Sequence, residues 1–600
     1  MPIACWDVLL GDEHGTSPAA RGEALAAFRE LDASEVSDAL PLLAAAATER
    51  PLRVLAVLGL VCLVNPLFSQ ALLCDDVLAY AVPNDDKNTD WVCAFAHMVG
   101  EGASHPMLRQ HLKAQPRIQA WLGETRAPSD ALAAVCMDLV RIKLAIPTDA
   151  KTTPSTLDLS EDMCHALYER FAAFVRQHHF AAPKDTAPWV WDTVTAAQSD
   201  ALEGLYYLAS LPALRDAVSH DASLLGKLGT LLSASASDAT RHDPGAPSSE
   251  AFVIVSLLTT LVAYPPALSE KEKQIDALRR SATKRGPDDP RLAPPSVAQR
   301  VRRVVEAGLV PPLVTLTTRA SPQLHRPLAD LFLSLVTEQD SALRGRLLQL
   351  GVCRALLWLA QQSLAALSSS MDAAHLIPFQ ALAKLTISME PALMYGVDGT
   401  AVRAVVYLAI LFLTPLSSLL QVFEAALALT NLASMSPAMA TAVAHASCPK
   451  SDHKTVSEAI VPLFLQHESL MLRRALTELL CNLAQDEGVF AHWSGEAERD
   501  TPMSPAAAPA SMDTASAPLR LHTAEGRLRL LLSLCYVSDD VHALALAKAA
   551  SGLLATLSTS PVTCELLIGL PTHAWEPIRA LLPPPSLPAF VRLCHMAWLA

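Results

Sequence analysis

Two stretches of the chain carry an amide where an apolar helix has no ordinary use for one. "FEAALALTNLASM" (423–435) and "RRALTELLCNLAQDEG" (473–488) each set an Asn directly before Leu-Ala, at Asn431 and Asn482. Asn is a mediocre helix former and costs free energy when buried without partners. It also donates and accepts at once, which is what an extended peptide backbone asks of a partner. At helical spacing Phe423, Leu427, Asn431 and Met435 share one stripe, with Glu424 beside it. The second copy reads Arg474, Glu478, Asn482 and Asp486. Two chemistries fit these residues. The amides form a ladder that holds a client peptide, or they satisfy free helix-end carbonyls of a neighbouring repeat and do nothing else. Arg474 and Glu478 also stand at the i, i+4 spacing of an ordinary helix-face ion pair.

Covalent chemistry finds no such footing. The sequence has no GxGxxG, GxxxxGK[ST], GxSxG or HExxH. His178 and His179 are adjacent, as are Cys164 and His165, but neither pair has a third partner at sensible spacing, and both read as ordinary helix residues. Acidic pairs at 75–76, 85–86, 288–289 and 539–540 read as helix caps or solvated turn residues. The twelve cysteines are scattered, without a CxxC, and several, such as Cys62, Cys481 and Cys535, lie in apolar runs. They read as reduced core thiols, not a disulfide framework or a zinc site. The expectation is a protein that is not an enzyme, needs no cofactor or metal, and acts by binding energy.

The elements that must position the Asn pair are helices. Of the 600 residues, 51% are hydrophobic but only 5% aromatic, and the apolar residues are mostly Leu and Ala. Strong helix formers with few β-branched or aromatic clusters predict an all-α chain. A formal charge of -14, with no basic stripe interleaved with aromatics, argues against nucleic acid and anionic membrane as partners. Mean hydropathy is high, at +0.28, and two segments, 54–74 and 404–423, are apolar enough to raise the question of a membrane span. The first contains Asn65 and Pro66 and the second is cut by "TPLSS" (414–418), so both read as pairs of buried helices. "MPIACWDVLLGDEHG" has no basic segment ahead of its apolar residues and does not read as a secretory leader, so a cytoplasmic location is expected.

Internal repetition organises the chain. Helix ends of the "LTNLA" kind align Tyr207, Thr260, Ser334, Lys384, Asn431, Asn482 and Thr556, at steps of 53, 74, 50, 47, 51 and 74 residues. Each long step contains a charged, Pro-rich or low-complexity insertion, and removing about 25 residues leaves a period near 50. That period predicts an armadillo/HEAT-like helical-repeat superhelix, an α-α solenoid, in which no unit buries its apolar face alone. "EAGLVPPLVTLT" (306–317) and "RLLQLGVCRALLWLAQQS" each show a Gly break before a new helix. The expected layout is an N-terminal armadillo-like region over 1–150 and a solenoid over 160–600, with insertions near 234–250, 268–297 and 494–518.

These blocks resemble a known family, the UCS-domain myosin chaperones, over most of the C-terminal 400 residues. "LEGLYYLASLPALRDAVSHD" (202–221), "RGRLLQLGVCRALLWL" (344–359) and "FQALAKLTISMEP" (379–391) are similar to its successive blocks. "FEAALALTNLAS" (423–434) and "LRRALTELLCNLA" (472–484) are similar to its most characteristic pair. "LRLLLSLCYVSDDVHALALAKAASGLLATLS" (528–558) is similar, more loosely, to its late block. The resemblance implies a chaperone or co-chaperone that binds the motor domain of myosin in the concave groove of its solenoid and supports actin-based function. Carried over by motif, the groove residues are Phe423, Glu424, Asn431, Arg474, Glu478 and Asn482. Longer members of the family carry tetratricopeptide repeats that hold the acidic tail of Hsp90. No 34-residue pattern is present here, and residues 1–50 hold nine acidic against three basic side chains, a poor surface for an acidic tail. The chain resembles the shorter, tetratricopeptide-free type, for which contact with Hsp90 is indirect; self-association is allowed. The alternative is a generic armadillo scaffold or adaptor for extended peptides. Nuclear-transport adaptors of that kind carry Trp four residues after the groove Asn, whereas this chain has Met435 and Asp486.

Overall fold

Proline at the first turn and Ser, Thr, Asn or Asp just before it start most of the helices, and these starts cut the apolar runs into short pieces. The computed structural model describes residues 2–10, 18–83, 88–124, 130–147, 157–177, 193–238, 249–266, 272–275, 278, 289–369, 372–396, 399–448, 455–499, 521–535 and 540–570. Among the described residues there are helices and turns but no strands, the expected all-α helical-repeat class. The chain forms two compact units, residues 1–334 and 335–600. The division expected near 150–160 falls inside the first unit. Most of the three expected insertions lies outside the described residues, although the second is helical again from Pro290.

In each unit a series of helices packs in sequence order, each against the next. In the first unit these are α1 (Pro51–Val64), α2 (Thr89–Ala103), α3 (Ala131–Ala145), α4 (Thr193–Leu208) and α5 (Ser249–Leu261). In the second they are α6 (Ile377–Ser388), α7 (Leu419–Ala433), α8 (Leu470–Leu483) and α9 (Val541–Leu557). Of the seven aligned positions, Tyr207, Thr260, Lys384, Asn431, Asn482 and Thr556 fall on these helices, whereas Ser334 lies on the Pro322–Val336 helix outside the series; Thr556 is exposed and the other six are half-buried. The regular series in the first unit also extends into residues 51–145, where the sequence shows no clear spacing.

The two apolar segments resolve as expected into helix pairs. Asn65 ends α1 and caps the Pro66–Leu72 helix, accepting from Phe68 N at 3.0 Å. Its amide donates to Phe28 O and Leu31 O, both at 2.9 Å. In the second segment, 414–418 separates the Thr400–Leu413 helix from α7. No single helix among the described residues is long and apolar enough to cross a membrane. Gly308 (φ +79°) and Gly351 (φ +90°) sit at the two Gly breaks, in the left-handed region that favours glycine. Among the described residues every cysteine is free.

Helix C-termini leave carbonyls without partners, and this chain supplies donors to them by a recurring device. Arg109 Nε donates to Ala103 O at 2.7 Å, at the end of α2. Arg215 does the same for Ala209 O at 2.8 Å, just past α4, and Arg300 for Leu261 O at 2.8 Å, at the end of α5. Arg344 reaches Val336 O at 3.2 Å and Arg473 reaches His467 O at 2.9 Å. A guanidinium forms charge-assisted bonds and also complements the negative end of the helix dipole. Four of these arginines end similar words, "PMLR", "PALR", "SALR" and "LMLR", at 109, 215, 344 and 473. That signal is present in the sequence but does not register in an alignment anchored on Leu-Ala. Among the described residues the ends of α6 and α7 receive no such arginine.

Candidate functional site

The wall of the site is built outward from a helix cap. Ser418 starts α7 in a capping box, its hydroxyl accepting from Gln421 N while Gln421 Oε1 accepts from Ser418 N at 2.9 Å. The other end of the same amide donates across to α6, Gln421 Nε2 to Gln380 Oε1 at 3.1 Å. Gln380 Nε2 then donates to Glu424 Oε2 at 2.9 Å, and Lys384 Nζ to Glu424 Oε1 at 2.6 Å. Glu424, expected on the groove surface, is instead buried, with a side chain 8% exposed. One residue along a helix is a rotation of about 100°, which turns Glu424 away from Phe423 and into the α6 contact. There a carboxylate needs a cation and further donors, and Lys384 and Gln380 supply them.

The two asparagines do the work that arginines do elsewhere. Asn431 Nδ2 donates to Thr386 O at 2.9 Å and Ile387 O at 3.1 Å, both in the last turn of α6. Asn482 Nδ2 donates to Thr430 O at 3.0 Å, in the last turn of α7. Facing two carbonyls, the amide nitrogen of Asn431 must be the group turned inward. In both residues Oδ1 makes no hydrogen bond among the described residues and is not sealed off by burial among them. Each carboxamide therefore has a donor committed to the wall and an acceptor left open.

Around these acceptors lie the other predicted residues. Phe423, Leu427, Arg474 and Glu478 are half-buried on α7 and α8. Arg474 Nε bonds Glu478 Oε1 at 2.7 Å along the same helix, with side chains 42% and 30% exposed. Such an exposed pair contributes little stability and is free to exchange partners. Cys481, next to Asn482, is not a nucleophile: burial pushes its thiol up to about 11, and Sγ donates to Ala549 O at 3.5 Å. Asp486, at the end of the stripe, caps the next helix through Val489 N at 3.0 Å. Among the described residues no group of three or more His, Cys, Asp or Glu is arranged to hold a metal. His178 and His179 lie outside the described residues.

One feature of this face escapes the sequence reading. Leu419 and Leu420 at the start of α7, and Leu470 and Met471 at the start of α8, are large apolar side chains left exposed. They stand twelve and eleven residues before Asn431 and Asn482, so they occupy equivalent positions in the two repeats. The matched offset is legible in the sequence; their exposure is not, because the same residues would read as core.

No family model matches the chain. Among solved structures, that of She4p matches all of this chain and 71% of its own, with a TM-score of 0.63 and 14% identity. Two structures of the myosin chaperone UNC-45 from C. elegans, in complex with an Hsp90 peptide and with an Hsp70 peptide, also match. They cover 94% and 96% of this chain, each with a TM-score of 0.59, at 17% and 16% identity. The chain spans 54% and 56% of those two UNC-45 chains. At such identities the likeness is one of fold, a helical-repeat architecture shared along nearly the whole length.

Proposed function

We propose that this chain is a chaperone for myosin motor domains, which it holds by binding energy on the face formed by α6, α7 and α8. The observation that carries the reading is the pair of half-exposed Asn amides on adjacent helices. They lie within the sequence blocks that resemble the UCS-domain chaperones, on a fold shared with the myosin chaperone UNC-45. Each Oδ1 is placed to accept from a backbone N–H of an extended or partly folded client segment. Phe423 and the exposed Leu419, Leu420, Leu470 and Met471 offer apolar contact to the same segment, and the Arg474–Glu478 pair can re-pair with client charges. Glu424 acts from behind, by fixing α7 against α6. Direct clamping of an Hsp90 tail is no part of this reading.

The test is aggregation of a purified myosin motor domain on heating, with and without the chain and without ATP. Light scattering falls in a dose-dependent way if the reading is right. Equal scattering with and without the chain, or equal suppression by the variant carrying Asn431→Ala, Asn482→Ala and Phe423→Ser, overturns it.

A further inference from the structure

A cavity of about 500 Å³ opens in the second unit between the Val352–Ser369 helix, the short Pro391–Tyr395 helix and the Thr400–Leu413 helix. None of the residues lining it lies on α6, α7, α8 or α9, so it is separate from the proposed client face. Its volume is in the range of small-ligand sites, which hold a drug-sized molecule or one large side chain. Arg354 and Arg403 line it together with Trp358, Gln361, Thr400 and Tyr407. The Tyr407 ring is held rigidly, stacked on Phe379 with centroids 5.6 Å apart and planes within 8°. Cys353 also lines the cavity, but burial pushes its thiol up to about 12, which leaves it protonated and unreactive.

Two arginines line this cavity. Elsewhere in the chain the guanidinium groups of Arg109, Arg215, Arg300, Arg344, Arg473 and Arg527 are spent on helix-end carbonyls, that of Arg527 on His492 O, and that of Arg474 on Glu478. Among the described residues Arg354 makes no hydrogen bond or ion pair, and Arg403 makes one, from Nη2 to Thr400 Oγ1 at 3.1 Å. No carboxylate among the described residues pairs with either, although the chain as a whole carries a formal charge of -14. The Thr400–Leu413 helix also begins at this cavity without a side-chain cap, so its first N–H groups and the positive end of its dipole add to the same field. Two planar guanidinium groups suit an oxyanion, and an indole beside them suits the face of a ring.

We infer that this cavity binds an oxyanion on a molecule that also carries an aromatic ring, with Arg354 and Arg403 on the phosphate or carboxylate and Trp358 against the ring. Two sources supply that chemistry, a free nucleotide and a phosphotyrosyl side chain of a partner. The experiment uses the full chain and ligand-observed NMR titrations with phenyl phosphate, cyclohexyl phosphate and inorganic phosphate. Phenyl phosphate binds saturably and several-fold tighter than the other two. Arg354→Gln and Arg403→Gln each weaken it at least tenfold, the pair abolishes it, and Trp358→Leu removes the preference for the ring. Both arginines are exposed, so circular dichroism and melting are unchanged in the Gln variants. Adenosine monophosphate and a phosphotyrosyl peptide then identify the source, the tighter of the two losing affinity in Arg354→Gln. Binding unaffected by both arginine substitutions, inorganic phosphate binding as tightly as phenyl phosphate, or failure of both natural sources to bind would overturn the inference.

Discussion

Replacing Asn431 by Asp is the sharpest test of how this wall is held. The substitution is isosteric and keeps an acceptor at the open position, but it removes the donor that serves Thr386 O and Ile387 O. It sets a carboxylate oxygen against two carbonyl oxygens at the negative end of α6. Two lost bonds at about 1 kcal/mol each, with the unfavourable dipole contact adding a few tenths, give a loss of about 2–3 kcal/mol. For a unit of this size that lowers Tm by roughly 5–10 °C. Asn431→Ala removes the same bonds without the repulsion and costs about 2 kcal/mol. Asn482→Ala costs less, about 1 kcal/mol, because Thr430 O keeps a second donor in Ser434 N at 3.1 Å. Urea unfolding followed by circular dichroism, with the transition of the second unit fitted separately, yields the three values. The order Asp, then Ala at 431, then Ala at 482 is the prediction. An Asn431→Asp variant as stable as the parent, or an Asn482→Ala variant worse than Asn431→Ala, would refute the assignment of the amide nitrogens to the wall.

Other consequences follow from single contacts. Lys384→Met leaves the buried Glu424 carboxylate with Gln380 as its only side-chain partner among the described residues and should cost about 3 kcal/mol in urea unfolding; Lys384→Met with Glu424→Met should recover most of it. If the double variant is no better than the single one, the pair is not what holds α7 to α6. A Cβ added at Gly204 would stand 2.5 Å from Phe171 Cζ, so Gly204→Ala should lower stability by about 1–3 kcal/mol although Ala is the better helix former. Gly204→Ala with Phe171→Leu should then regain part of that loss, and no rescue would count against the clash. His97 gives the first unit a pH dependence. Burial opposes its charge, but the Asp200 carboxylate at 3.1 Å, and then Glu101, hold it protonated above the usual imidazole range, with Lys143 opposing them. A histidine whose pKa is raised by folding contributes stability that is full below its unfolded value of about 6.5 and is lost as pH rises through the folded value. Melting temperature should therefore fall between pH 6 and 8 in the parent and vary less in His97→Gln; parallel curves would exclude His97 as the source.

How much of this was legible in the sequence depends on whether a residue's task is local or relational. Helix content, the breaks at Gly308 and Gly351 and the splitting of both apolar segments follow from local propensity, and they appear where the residues place them. The ladder position is also legible, because stacking repeats forces one register on Lys384, Asn431 and Asn482. Which way a polar side chain turns is not, since it depends on which carbonyl or carboxylate the neighbouring helix presents. Glu424 and Phe423 are adjacent in sequence, yet one is buried against Lys384 and the other lies on the open face. The arginine words and the asparagines look unrelated as sequence, and they converge only when their targets are seen. Both supply donors to helix C-terminal carbonyls, all but one of the arginines from helices outside the two series and the asparagines from the next helix of the series itself. That difference has a functional consequence. A guanidinium has donors only, so an arginine cap leaves nothing but positive charge to offer a partner. An asparagine cap spends its N–H₂ and still exposes an oxygen. At α6 and α7 the chain uses the one cap that closes the wall and keeps an acceptor on its surface, and it is on these helices that a client backbone would find one.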